Sequence, residues 1–187
     1  HDAVLFLELV VVDPEHDRRI DLVLRRHGED DPARPRLQVL LERGPVAEDP
    51  ESQGLLEEAR EVGLEVVGVR PEEVSYVSAH GTATERGDIA ESHATLKMFG
   101  ERMPISSMKS YLGHTLGACG ALESWFAIEM MNRDWFAPTV NLENPDERCA
   151  PLDYIMGHGR RLETEFVMNN NFAFGGINTS LIMRRHS

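Results

Sequence analysis

The chain has 187 residues, 41% hydrophobic and 27% charged, with 15 Gly; that length suits one domain with a real core, and the composition excludes wholesale disorder and collagen-like repeats. The formal net charge is −13, and the bases are 17 Arg with only Lys97 and Lys109, which argues against a nucleic-acid partner because phosphate neutralisation needs clustered Lys and Arg. No apolar run reaches the roughly 18 residues of a membrane span. Ala3–Leu7 and Leu9–Val12 are interrupted by Glu8 and follow no basic segment, so neither a span nor a signal peptide is expected, and the setting reads as cytoplasmic and reducing.

The charge divides the chain. Residues 1–73 hold 19 acids against 9 Arg, whereas residues 74–187 hold 13 acids against 10 bases. Ala3–Val12 is β-rich and apolar. Asp13–Ser52 carries Pro14, Pro32, Pro35, Pro45 and Pro50 among acids and arginines and reads as an irregular surface excursion with a short strand at Leu37–Leu41. Gln53–Val62 places Leu55, Leu56, Ala59 and Val62 at helical spacing and stops at Gly63.

From Val74 the elements alternate. Val74–Ala79 reads as a buried strand, Asp88 to about Phe99 as a helix, and Pro104–Ser106 as a short strand. The longest helix is predicted over Thr115–Asn132. Its first half, Gly117-Ala118-Cys119-Gly120-Ala121, is nearly all small; Gly costs about 1 kcal/mol against Ala in a helix, so a second element is expected to approach closely and the helix to be central and buried. Strands follow at Tyr154–Met156, Phe166–Asn170 and Ile177–Met183, the last two joined by the turn Phe172–Gly176. The sum is an α/β domain over residues 1–187 with a mixed β-sheet.

Three constellations sit at strand ends or helix starts, where polar groups converge on a pocket. His80-Gly81-Thr82-Ala83-Thr84 follows a buried strand and either presents an imidazole beside hydroxyls or is a polar loop capped by Asp88. Lys109-Ser110-Tyr111-Leu112-Gly113-His114 precedes the small-residue helix. There Lys109 is either a solvated surface residue or part of a site in which the helix N-terminus keeps His114 neutral and Glu123 supplies a counter-charge. Asn169–Asn178, with Phe172, Phe174, Gly175 and Gly176, is either a hairpin turn with core Phe or a turn that aims backbone N–H groups at an anion. Two His, a Lys and an amide-presenting turn suit carbanion or oxyanion chemistry on a thioester carbonyl. A nucleophile is the missing part. Cys119, among small residues in a helix, reads as a small apolar group, and nothing adjacent lowers the pKa of Cys149. Neither belongs to a Cys-x-x-Cys pair, and two Cys are too few for a disulfide framework or a four-ligand zinc site.

These residues resemble the β-ketoacyl-acyl-carrier-protein synthases, whose His-Gly-Thr-x-Thr, Lys-Ser-x-x-Gly-His and Asn-x-Phe-x-Phe-Gly-Gly-x-Asn motifs stand here, in order, as His80–Thr84, Lys109–His114 and Asn170–Asn178. The resemblance runs from about Gly54 to Arg185, with Ala3–Leu9 similar to the strand that begins the second half of that fold. Gly113–Glu123 together with Asn171–Phe174 resembles the subgroup that builds aryl polyenes. The resemblance implies a thiolase-like fold, of which this chain is the C-terminal half of an αβαβα layered architecture; Asp13–Ser52 fits it poorly. It implies decarboxylative Claisen condensation, with His80 and His114 assisting decarboxylation and stabilising the enolate, and Lys109 paired with Glu123 in support. It also implies that Thr82 and Thr84 line the pantetheine tunnel, and that Phe172, Phe174 and Gly175 contact substrate through an oxyanion-hole N–H and a gating ring. The nucleophilic Cys would lie on the other half, outside this chain. No cofactor is implied beyond the phosphopantetheine that an acyl carrier protein delivers. The implied partners are that carrier, the N-terminal half or a second synthase subunit, and further copies in an oligomer. A non-catalytic partner akin to a chain-length factor is the alternative; such partners tend to lose the His pair, and this chain keeps it.

Overall fold

The computed structural model describes residues 20–23, 36–43, 64, 68–173 and 177–185. In chain order these form β1 (Ile20–Val23), β2 (Arg36–Arg43), β3 (Val74–Ser78), α1 (Glu85–Phe99), β4 (Pro104–Ser106), the short helix α2 (Lys109–Leu112), α3 (Cys119–Arg133), β5 (Trp135–Phe136), β6 (Asp153–Tyr154), β7 (Arg160–Arg161), β8 (Phe166–Ala173) and β9 (Ile177–Arg184). Seven strands make one mixed sheet in the order β1-β2-β9-β8-β3-β4-β6, and β5 pairs with β7 beside it. From β1 to β8 the pairings are antiparallel, and β8-β3-β4-β6 run parallel.

Strands β3, β8 and β9 bury side chains on both faces of the sheet, so neighbours along each strand serve different cores. Tyr76, Val167 and Met183 pack with Met108, Ala127, Met130, Met131, Phe136 and Ile155 on the α3 side. Val77, Met168 and Ile182, each one residue along, pack with Val74, Met103, Ile105 and Leu152, and Leu96 and Phe99 of α1 join that second cluster. Full burial of such side chains is worth about 1.5–3 kcal/mol each. Because β3 and β4 are parallel neighbours, the loops that follow them, bearing His80 and Lys109, leave the sheet at the same edge, the usual place for a site in parallel sheets.

Four expectations are corrected. The segment 13–52 contributes two paired strands, because its prolines punctuate the strands without falling inside them: Pro35 stands immediately before β2. Helix α1 starts at Glu85, three residues before Asp88; the first i to i−4 bond, Asp88 N–H to Thr84 O, puts Asp88 inside the first turn. The small-residue helix begins at Cys119, since Leu116 at φ +52° diverts residues 116–118 into a 3₁₀ turn. Nor is that helix enclosed. One side buries Cys119, Glu123, Ser124, Ala127, Met130 and Met131, while Gly117, Ala118, Ala121 and Trp125 are exposed. The expected close approach is absent at both glycines: an added Cβ at Gly120 would meet the Asn171 side chain at 3.5 Å, ordinary van der Waals contact, and at Gly117 it would meet nothing within 4 Å. Ala3–Val12 and Gln53–Val62 lie outside the described residues.

Candidate functional site

His80 follows β3, and its loop is held by a carboxylate from α1: Glu91 accepts the backbone N–H of His80 at 3.0 Å on one oxygen and that of Gly81 at 2.9 Å on the other. Gly81 has φ +42°, and a Cβ there would lie 2.6 Å from the Ser107 Cβ. The Ser107 hydroxyl donates to Gly81 O, and the Ser107 N–H donates to Thr139 Oγ1, so the His80 loop, the segment after β4 and the 139–142 loop are tied together. Gly81→Ala is expected to destabilise the fold by about 1–3 kcal/mol through strain, measurable as a lower midpoint in urea; an unchanged midpoint would refute the close packing.

Lys109 is buried rather than solvated. Its Nζ lies 2.5 Å from Glu123 Oε1 on α3 and 3.2 Å from His80 Nδ1, so Glu123 is the counter-charge of Lys109. Burial pushes the Glu123 carboxyl up and the lysine beside it pulls it back; at this separation, with the ammonium donating directly to the carboxylate, the pair is ionic at neutral pH. His80 is pushed down to about 3, by burial first, then by the Lys109 charge and the His114 ring, with a smaller opposing hydrogen bond from Asn171. His80 is therefore a neutral imidazole at neutral pH. An ammonium can only donate, so His80 Nδ1 is the acceptor and the ring proton sits on Nε2.

His114 stands 5.6 Å from His80, ring centroid to centroid, edge to face. Its Nδ1 accepts the backbone N–H of Leu116 at 3.0 Å, which places its neutral-form proton on Nε2 by the same reasoning. The Phe172 ring is buried and meets His80 edge-on at 5.5 Å. Thr82 and Thr84 join by their hydroxyls at 2.9 Å. Both line a cleft of about 630 Å³ that Lys109, His114, Thr139, Asp146, Cys149 and Tyr154 complete. The structure thus brings together His80, Lys109, His114, Glu123, Thr82, Thr84 and Phe172. Phe174 and Gly175 lie outside the described residues.

Cys119 is buried and Cys149 half-buried; burial pushes the Cys149 thiol up. Sequence reasoning missed Glu91, Asn171 and the Ser107–Thr139 tie. The buried positions of α1 are Glu91, Ser92, Ala94 and Thr95, so hydrophobic spacing could not mark Glu91 as inward-facing.

Asp88 shares the loop's support. Burial and the nearby Glu91 charge push its carboxyl up to about 6, against backbone hydrogen bonds from Ala83, Thr82 and Thr84. The native state then binds the proton more tightly than the unfolded chain, and this stabilising contribution is full below pH about 4 and lost as pH rises through about 6. Asp88→Asn is expected to flatten the dependence of stability on pH over that window, read by urea titration at several pH values; a slope equal to the parent's would contradict it.

A mixed α/β sheet with a cleft at the C-terminal ends of its parallel strands, lined by Thr82, Thr84, Lys109 and His114 with His80 and Glu123 held against Lys109 behind it, defines a thiolase-like domain. The chain belongs to the β-ketoacyl synthase family: the model described as "Beta-ketoacyl synthase, C-terminal domain" matches residues 42–143. A 3-oxoacyl-[acyl-carrier-protein] synthase 2 of Coxiella burnetii is 41% identical over 140 residues, covering 73% of this chain and 33% of that protein. Among solved structures, a beta-ketoacyl synthase from Burkholderia phymatum STM815 is 54% identical with a TM-score of 0.73, over 81% of this chain and 36% of that one. A complex of a ketosynthase with its chain length factor from Xenorhabdus doucetiae matches at 32% identity and TM-score 0.74, over 88% of this chain and 41% of that one. The chain spans about a third of the length of the curated relatives it matches. Among the described residues no helix is long and apolar enough to cross a membrane.

Proposed function

We propose that this chain is the C-terminal half of a β-ketoacyl-acyl-carrier-protein synthase, in which His80 and His114 stabilise the enolate of a decarboxylating malonyl thioester. One observation carries the reading: each imidazole has its Nδ1 engaged by a donor, Lys109 Nζ for His80 and Leu116 N–H for His114, so each offers Nε2–H to a developing oxyanion. Loss of CO₂ from the malonyl thioester leaves its electron pair on the enolate, whose oxygen these two donors would hold. The enolate carbon then attacks the carbonyl of an acyl group carried on a cysteine of the N-terminal half; the C–C bond forms and the cysteine leaves as thiolate. Thr82 and Thr84 suit the amide-bearing phosphopantetheine arm of an acyl carrier protein, which brings its own prosthetic group, so the chain needs no cofactor. Neutral donors are favoured over cations here because an imidazolium would already be satisfied by the starting carboxylate.

The exposed run Leu116, Gly117, Ala118, Ala121 and Trp125, with Leu116 at 74% and Trp125 at 58% exposure, is the face we assign to the missing half. An apolar patch of this kind marks an association surface, and light scattering on the chain alone should show association; a clean monomer would count against it. The complexes with chain length factors among the matched structures keep a second reading, a non-catalytic partner subunit. The test is to expose the native preparation to an acyl-carrier-protein thioester and take denaturing intact masses of every polypeptide in it. Acylation of a second chain supports the split synthase; acylation of this chain would overturn the placement of the nucleophile elsewhere, and no acylation would favour the non-catalytic reading.

A further inference from the structure

Cys119 opens α3 directly behind His114, and its sulfur is engaged on two sides. The Thr115 N–H donates to Sγ at 3.1 Å and the Thr115 hydroxyl at 3.3 Å, while Sγ lies 3.3 Å from His114 Nδ1. Two arrangements of the proton between sulfur and ring are chemically open: a thiolate facing an imidazolium, or a thiol facing a neutral imidazole. Leu116 decides between them. Its N–H points at the same Nδ1 from 3.0 Å, and a proton on that nitrogen would set N–H against N–H. Nδ1 therefore presents its lone pair, and the sulfur keeps its proton and donates it.

We propose that Cys119 is a positioning residue for His114: its S–H, beside the Leu116 N–H, gives Nδ1 a second donor and holds the ring in the tautomer whose proton is on Nε2. The proposal deepens the functional reading above, in which that Nε2–H meets the enolate, and rests on it for its relevance to condensation. The local backbone supports the grip. Leu116 at φ +52° turns the chain tightly enough for residues 114, 115, 116 and 119 to surround one ring edge, and the thiol, only 4% exposed, is shielded from competing water. The assignment also accounts for a buried thiol beside a histidine without making it a nucleophile.

The test reads the tautomer directly and needs no substrate, so it can fail while the condensing function stands, and the reverse. In the full chain with ¹⁵N-labelled histidine, long-range ¹H–¹⁵N correlation at pH 8, with His114 assigned through His114→Gln, should show an unprotonated Nδ1 and a protonated Nε2. Cys119→Ala and the near-isosteric Cys119→Val, which lack the donor, should raise the Nδ1–H tautomer about threefold, the effect of one weak hydrogen bond. Cys119→Ser, which keeps a donor, should restore the parent pattern. A parent spectrum with the proton on Nδ1, or donor-free variants indistinguishable from the parent, would overturn the proposal; if those variants do not fold, the infrared S–H band of Cys119 in a Cys149→Ser background decides, red-shifted when the thiol donates to Nδ1 and at the free-thiol position if the proposal is wrong.

Discussion

Glu123→Ala is expected to cost about 3–5 kcal/mol of folding stability, the range for stripping one partner from a buried ion pair. The side chains of Lys109 and Glu123 are 5% and 1% exposed, so the alanine leaves an ammonium with no carboxylate and little water. Glu123→Gln keeps an oxygen for Lys109 to donate to and should cost clearly less. The double replacement Lys109→Met with Glu123→Leu should be close to neutral in stability, because it removes both charges and their desolvation together. That double variant would also free His80 Nδ1 of the lysine, separating the pair's structural role from its service to the imidazole. Urea unfolding of the three variants checks the order; a cost below about 1 kcal/mol for Glu123→Ala would mean that the pair is solvated.

The second large effect follows from the proposed condensing function and is catalytic. In the assembled synthase, His80→Ala and His114→Ala should each slow malonyl-thioester decarboxylation by about 10²–10³, the loss that follows removal of one preorganised oxyanion donor. The two losses should not add, since the two rings touch edge to face at 5.6 Å and would serve one oxyanion. Replacement by Gln or Asn, which keep an N–H, should recover part of the rate. Release of labelled CO₂ gives the rate, and undiminished decarboxylation in either alanine variant would remove that residue from the step.

The positions of the strands around the site were largely legible in the sequence because β3, β8 and β9 carry apolar stretches, Val74–Val77, Phe166–Met168 and Leu181–Met183, bounded by polar or glycine-containing segments, while their order in the sheet was not. The site was legible because His80, Lys109 and His114 sit at the ends of such runs. Three things were hidden. The Lys109–Glu123 pair was visible only through resemblance, since residue spacing put Glu123 nearer to His114. Glu91 lay on a helix face of small and polar residues that carries no hydrophobic period. β1 was obscured by prolines and charges that turned out to flank strands, whereas β2 was legible at its centre, Leu37–Leu41, and only its length was missed. The burial expected of α3 fails for a different reason: its small residues were read as a sign of close backbone approach, but at Gly120 there is room for a Cβ at ordinary contact distance and at Gly117 there is open space. The chain holds a third of the length of its relatives, and the exposed side of that helix is where we place the rest.

The account depends most on His80 being neutral with its proton on Nε2. Since its native value lies near 3 and its ordinary value is 6.5, the native state resists protonation: the contribution to stability is full above pH 6.5 and is lost as pH falls toward 3. The direct measurement is a ¹⁵N titration of His80 in the intact chain from pH 8 to pH 4. The account predicts a ring that stays neutral, with Nε2 protonated and Nδ1 bare, throughout that range. A midpoint between pH 6 and 7, or a proton on Nδ1, would contradict it.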